Sequence, residues 1–315
     1  MGKDRLKLLL KVLISIFFLY LVFRKINLSL LYTTLKGCYL PLAVLSILIA
    51  VLLSFPLAFR WYILLKGQVG QKSIRYINIW KLNMVGMLFN NFLPTGAGGD
   101  IVKVFYLVRG EENKLILGSS VIIDRFIGAL TVITMGAVAG LLTPNISVKV
   151  KYFLLFLIFF LLFIFVFFSY RTFAAIFYLM AKKFIPDRLK ETLENTYSAF
   201  NRYFSARRYL LYAILVSLFL QSISILNNYL MSISIIWNQS GSSSISMFFI
   251  YIPLIWTATL VPSLGGLGIR EFTYVYFFSP FIGKENAFAL SIVFLLSVII
   301  QSIIGAVIIL LLKER

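Results

Sequence analysis

The chain has 315 residues, of which 61% are hydrophobic, and its 30 Lys and Arg outnumber its 11 Asp and Glu to give a net charge of +19. This apolar content is well above the roughly 45–50% of soluble domains, so the sequence excludes a soluble fold and predicts an integral membrane protein. With no histidine and one cysteine, it also excludes His-based triads, the usual zinc sites and an internal disulfide framework, and no cofactor is predicted.

Six uninterrupted membrane spans are predicted from apolar runs of about 20 residues, the length that crosses a bilayer. The N-terminal run resembles a signal peptide, but no small-residue cleavage site follows, so we expect it to be retained as the first span. In chain order the spans are Leu8–Phe23, Tyr39–Phe59, Leu115–Leu142, Tyr152–Tyr170, Tyr209–Met231 and Ala287–Leu312.

Two further apolar segments are interrupted by proline and glycine. The first runs from about residue 77 to 108 and contains LPTGAGG at 93–99, and the second runs from about 245 to 282 and contains VPSLGGLG at 261–268. Proline and glycine end helices, and lipid cannot satisfy the backbone groups that such breaks leave unpaired. We therefore expect each break to be buried in protein or to line a wet cavity.

The distribution of Lys and Arg predicts the orientation of the chain. We expect a protein of the cell membrane with both termini in the cytoplasm, in which each broken segment returns to its own side as a hairpin. In this arrangement most Lys and Arg residues outside the spans lie on the cytoplasmic side. The cytoplasmic pieces are then 1–7, 60–75, 109–114, 171–208 and 313–315, and the outer pieces are 24–37, 144–151, 238–244 and 283–286. The piece 171–208 has helical periodicity, which predicts an amphipathic segment at the cytoplasmic interface.

The two breaks look alike, since each has proline followed by Thr or Ser, two adjacent glycines and then an acid, Asp100 or Glu271. Matching interrupted segments inserted from opposite faces are typical of an inverted repeat around a central transport site. The predicted fold is therefore an all-α integral membrane protein: one domain over 1–315, with six spanning helices and two oppositely inserted re-entrant hairpins. The alternative is that both breaks are ordinary helix kinks.

Charged residues inside the membrane are functional candidates because each costs roughly 2.5–3.5 kcal/mol at a helix centre. A glycine-rich turn that opens a helix suits a phosphate, and Lys103, Arg270 and Arg125 could complete such a site. The alternative is internal pairing of Asp124 with Lys81 and of Glu271 with Arg125. We expect Arg270 to bind a headgroup and Arg125 to be structural. The full set is Lys81, Asp100, Lys103, Asp124, Arg125, Arg270 and Glu271.

Three motifs together resemble the lysylphosphatidylglycerol synthase/flippase membrane domain family: NFLPTGAGGDxxK at 91–103, SxxxDRFIG at 120–128 and VPSLGGLGIRE at 261–271. Lys103 stands where that family usually has arginine. The resemblance covers nearly the whole chain and implies movement of a phospholipid, often aminoacylated, between leaflets. The residues expected to bind substrate are Asn91, Pro94, Gly98, Gly99, Asp100, Lys103, Asp124, Arg125, Gly265, Gly266, Arg270 and Glu271.

The resemblance favours a phospholipid transporter over an enzyme. Two-part members carry an aminoacyltransferase domain after the membrane half, whereas this sequence ends at residue 315, so we do not expect it to lysylate lipid. The alternatives are an enzyme or accessory subunit that acts on a lipid-linked substrate through Asp100, Asp124 and Glu271, or a transporter of small solutes or ions. The expected partners are membrane phospholipids and not nucleic acid, and either a homo-oligomer or a partner lipid-modifying enzyme fits the sequence.

Overall fold

All the regular secondary structure that the computed structural model describes is α-helical. The described residues are 2–69, 74–92, 98–109, 113–144, 146–169, 187–237, 244–259, 261 and 263–313. Within these ranges the prediction of an all-α membrane protein is confirmed.

The helices follow the predicted spans and breaks closely. In chain order they are α1 Gly2–Phe23, α2 Leu28–Lys36, α3 Leu40–Leu52, α4 Ser54–Val69, α5 Tyr76–Phe92, α6 Gly98–Leu107, α7 Lys114–Leu142, α8 Val148–Ser169, α9 Asp187–Ser205, α10 Arg207–Ile236, α11 Ile245–Ala258, α12 Ile269–Ile282 and α13 Lys284–Lys313.

Five of the predicted spans are confirmed as helices that are long and apolar enough to cross a membrane. They are Leu40–Gln68, which joins α3 to α4, and Lys114–Leu142, Val148–Phe167, Arg207–Ile236 and Lys284–Leu311. The first predicted span lies within α1, and a bend of 86° separates it from α2.

Most of the predicted outer piece 24–37 forms a helix, α2. Asn27 explains the start of this helix, since its side-chain oxygen accepts hydrogen bonds from the backbone N–H groups of Ser29 and Leu30. Such capping satisfies two of the N–H groups that a helix start leaves without an intrahelical partner.

The predicted cytoplasmic piece 60–75 needs correction, whereas the helix predicted within 171–208 is present in the described part of that piece. Helix α4 continues to Val69, so Arg60 lies inside a span and not in a loop. Of the second piece, residues 170–186 lie outside the described residues, and the rest forms α9 and the start of α10. Ala199, Tyr203 and Phe204 are buried, because α9 packs against α7 and α8.

The chain divides into two compact units. The first unit consists of Met1–Ser54, Lys81–Lys103 and Ser222–Arg315, and it contains both breaks. In it α12 packs against α1, α11 and α13, and α13 also contacts α2 and α3. The second unit consists of Phe55–Trp80 and Val104–Gln221. Its core includes Ile63, Leu64, Ile123, Ile127, Tyr203, Phe204, Leu210 and Ala213.

Two contacts within the first unit join segments that were predicted to share the outer side. The backbone N–H of Asn27 donates to Glu285 Oε1 at 3.2 Å, and the rings of Tyr39 and Trp237 stack with their centres 4.6 Å apart. Piece 24–37 therefore contacts Glu285 of piece 283–286, and Tyr39, which follows piece 24–37, contacts Trp237, which precedes piece 238–244, as a common side requires. Which face of the membrane these segments meet stays a prediction, as does the inverted repeat.

Candidate functional site

The first broken segment folds back on itself. Gly99 lies against the backbone carbonyl of Gly86, and its own N–H donates to Asn90 Oδ1 at 2.8 Å. One turn further along α6, Lys103 Nζ donates to Asn83 Oδ1 at 2.6 Å. Residues later in α6 therefore contact residues earlier in α5, which means that the two helices run antiparallel and form a hairpin.

Glycine allows the two helices of this hairpin to approach closely. A Cβ on Gly99 would overlap the Gly86 carbonyl oxygen, and a Cβ on Gly86 would overlap the aliphatic part of Lys103. The absence of both side chains leaves the space through which Lys103 reaches Asn83.

A polar cluster therefore lies inside the first hairpin. The carboxylate Oδ1 of Asp100 lies 3.9 Å from Lys103 Nζ, and the two side chains are only 13% and 11% exposed. Asn83 is buried, with 3% exposure. One positive and one negative charge lie beside neutral amides, so the cluster has no net formal charge while still offering hydrogen-bond donors and acceptors.

The second broken segment turns through three glycines whose φ angles are positive: 57° at Gly265, 82° at Gly266 and 84° at Gly268. Residues with a Cβ rarely adopt these angles, so the turn requires glycine. Ring stacking of Tyr251 on Phe277, with centres 5.0 Å apart, shows that α11 and α12 then lie side by side.

The structure brings the second glycine turn against the helix that leads into the first break. Gly265 lies against the backbone carbonyl of Asn91, at the end of α5. The Asn91 side chain is held in turn, because its Nδ2 donates to Ser302 Oγ on α13 at 2.7 Å. The end of the first hairpin thus contacts the second glycine turn within the first unit.

Arg270 and Glu271 form a buried ion pair at the start of α12, with 5% and 3% exposure. Glu271 Oε1 accepts from Arg270 Nε and Nη2 at 3.2 and 3.1 Å, and its Oε2 accepts from the N–H of Gly268 at 2.6 Å. The carboxylate therefore caps its own helix. The Arg270 guanidinium also lies 5.4 Å from the ring centre of Phe294, a cation–π distance.

A second buried ion pair lies in the second unit. Arg60 donates to both oxygens of Asp124, from Nε at 2.7 Å and from Nη2 at 2.9 Å, and its Nη1 donates to Ser217 Oγ at 2.9 Å. Gly128 leaves room for this guanidinium, because a Cβ there would lie 2.9 Å from Nη1. Asp124 and Glu271 thus pair with Arg60 and Arg270, instead of the partners named in the pairing alternative.

Residues 8–305 match the family described as "Lysylphosphatidylglycerol synthase TM region". The chain belongs to this family. It has no significant match among curated proteins or among solved structures. Membership connects this membrane protein with lipid handling.

The residues predicted to bind substrate fall into three groups in this family member. Asn91, Gly98, Gly99, Asp100, Lys103, Gly265, Gly266, Arg270 and Glu271 lie in the first unit. Asp124 and Arg125 lie in the second unit, where Arg125 is exposed on α7 while Asp124 is buried. Pro94, like Pro262 of the third motif, lies outside the described residues.

The residues of these clusters that were missed in the sequence include Arg60, Asn83, Gly86 and Asn90. Arg60 had a usable signal, because it lies within the apolar run LAFRWYILL at 57–65. Asn83 and Gly86 are three residues apart, a spacing that places them on one helix face, but nothing in the sequence pairs that face with Lys103.

Proposed function

We propose that this protein moves phospholipids between the leaflets of the membrane, with the lipid headgroup held between the two breaks of the first unit. The acyl tails would stay in the surrounding lipid. The observation that carries the proposal is the contact between Gly265 and Asn91, which places the second glycine turn against the end of α5, the helix that leads into the first break. Membership in a family linked to lipid handling supports it.

The first hairpin offers the better headgroup contact. Lys103 donates to the neutral amide of Asn83 and lies farther, at 3.9 Å, from the Asp100 carboxylate. An ammonium has three N–H donors, so a phosphate oxygen can join the amide as a second acceptor. Arg270 is less suited, because Glu271 accepts from two of its nitrogens.

The second turn is better suited to a structural role in lipid movement than to headgroup binding. Its ion pair joins two adjacent residues, Arg270 and Glu271. The Glu271 carboxylate also occupies the start of α12, where an external anion would otherwise bind. We infer that the second turn fixes the wall of the headgroup path while the first hairpin contacts the headgroup.

The test is lipid movement in reconstituted vesicles. In phosphatidylcholine vesicles, fluorescent phosphatidylglycerol in the inner leaflet is protected from an impermeant quencher. Purified protein should make this protected fraction disappear faster than it does in protein-free vesicles. The same assay with fluorescent phosphatidylethanolamine and phosphatidylcholine shows which headgroups the protein moves.

A matched inactive variant is Gly98→Leu with Gly99→Leu, in which the new side chains push α6 away from α5. It should insert and purify but move no lipid. No acceleration by the unmodified protein with any of the three headgroups would reject transport of phospholipid by this chain.

A further inference from the structure

Asn83 is a buried amide whose two ends have different surroundings. Its Oδ1 accepts from Lys103 Nζ at 2.6 Å. An ammonium only donates, so the atom that faces Lys103 must be the oxygen, and this contact fixes the orientation of the amide. The nitrogen Nδ2 consequently points away from the ammonium.

The Nδ2 of Asn83 is a buried donor without an acceptor among the described residues. The residue is 3% exposed, so bulk water does not compensate. Buried amide donors are nearly always hydrogen-bonded, and those that are not call for an explanation such as a ligand. A donor of this kind beside an ammonium matches an oxygen that accepts hydrogen bonds and carries negative charge.

We propose that Asn83 is a headgroup-binding residue, whose Nδ2 donates to a phosphate oxygen that Lys103 also contacts. The inference rests on the proposed transport function and names the atom of the lipid that is recognised: the phosphodiester oxygen shared by all glycerophospholipids. Because Asp100 and Lys103 balance each other in formal charge, recognition depends on the phosphate itself more than on the net charge of the headgroup.

The substitution Asn83→Asp tests this assignment. It keeps an oxygen for Lys103 and nearly the same shape, but it replaces the Nδ2 donor with an acceptor. Movement of fluorescent phosphatidylglycerol and phosphatidylcholine should both fall about tenfold, the factor that corresponds to about 1.4 kcal/mol, and the melting temperature should change little.

The matched control is Asn90→Asp, which adds the same charge to the same helix. The described contact of Asn90 uses its oxygen, which accepts from Gly99, so an aspartate preserves it. If added charge alone slows transport, the two variants slow equally. A clearly slower Asn83→Asp supports the contact, and equal rates overturn it.

A second variant covers the case in which Asn83→Asp folds poorly. Asn83→Ser retains a hydroxyl donor, so at matched amounts of folded protein it should move lipid faster than Asn83→Asp. The reverse order overturns the inference.

Binding measured in detergent separates this inference from transport itself and identifies the source of the phosphate. Phosphatidylglycerol should raise the melting temperature of the unmodified protein but not that of Asn83→Asp, whereas soluble glycerol phosphate should stabilise neither. Stabilisation by glycerol phosphate would instead assign the site to a free phosphate ester. If the unmodified protein moves no lipid but still shows the Asn83-dependent shift, transport fails and the binding residue stands.

Discussion

The two breaks of the first unit share a sequence pattern but differ in how their charges are held. In the second break, Glu271 accepts from the adjacent Arg270 and from Gly268, so the pair is complete within one turn of chain. In the first, Asn90 caps the helix start, and Lys103 is held by Asn83, which lies 20 positions away on another helix.

This difference separates two physical roles. A pair that closes within one turn keeps its contacts when neighbouring helices move, so it stabilises that turn. A cation held across a hairpin loses its partner whenever the two helices separate, so its surroundings depend on the spacing of α5 and α6. The shared sequence pattern thus predicts where the chain breaks, whereas the side-chain contacts decide which break suits a ligand.

The first prediction concerns the sides from which the two breaks enter the membrane, and its outcome is all or none. In a Cys38→Ser background, a cysteine at Arg109, beyond the first hairpin, should react with an impermeant reagent only from the cytoplasmic side. A cysteine at Lys284, beyond the second, should react only from outside. Opposite insertion predicts this difference because each hairpin returns to its own face.

A cysteine at Thr33 is the control for this experiment. Because Asn27 contacts Glu285, helix α2 should react from the same side as position 284. Labelling of positions 109 and 284 from one side would reject opposite insertion.

The second prediction concerns the buried pair of the second break. Arg270→Gln leaves the Glu271 carboxylate buried without its cation, which costs about 3–5 kcal/mol. The melting temperature in detergent should fall strongly, and Arg270→Gln combined with Glu271→Gln should restore much of the loss. Thermal unfolding followed by tryptophan fluorescence measures both variants.

Arg60→Gln is the matched comparison in the second unit, because it likewise leaves the buried Asp124 carboxylate without its cation. Arg125→Gln should have a smaller effect, since that side chain is exposed. If Arg270→Gln kept full stability and lost lipid transport, Arg270 would be the headgroup contact and the roles of the two breaks would be reversed.

The spans and breaks could be predicted because they depend on local composition. An uncharged apolar run such as Tyr152–Tyr170 can satisfy its backbone in lipid only as a helix, and its residues 152–169 lie in α8. The partners of the buried charges could not be predicted in this way. Arg60 lies 64 positions from Asp124, and assigning basic residues to loops placed it outside the membrane. Asn83 has no charge, so no insertion cost marked it as a candidate.

The third prediction concerns the close approach of α5 and α6. Gly99→Ala gains helix propensity of about 0.5–1 kcal/mol, but its methyl group overlaps the Gly86 carbonyl. Overpacking of this kind typically costs about 1–3 kcal/mol. We expect a net loss of stability, together with slower lipid movement in vesicles.

Gly118→Ala provides the matched control within another helix, α7. Its Cβ would lie 3.5 Å from Val104 Cγ1, which is ordinary van der Waals contact, so stability should be unchanged or slightly higher. Equal melting temperatures for the two alanine variants would show that α5 and α6 tolerate a wider spacing than the structure gives them.

The last prediction concerns Lys103. Lys103→Met retains a flexible chain of similar length along Gly86, so the loss should be limited to about 1.5–3 kcal/mol, the usual contribution of one hydrogen bond from a charged donor. The Asp100 side chain is 13% exposed, against 4% for Glu271, so leaving its carboxylate without the cation should cost less than at Glu271, although its Oδ1 is itself buried. Transport of phosphatidylglycerol should nevertheless fall about tenfold, because the ammonium proposed to contact the phosphate is gone. Lys284→Met, an identical change at an exposed position, should alter neither transport nor melting temperature. A Lys103→Met protein that is as unstable as Arg270→Gln would place Lys103 among the structural charges and remove the distinction between the two breaks.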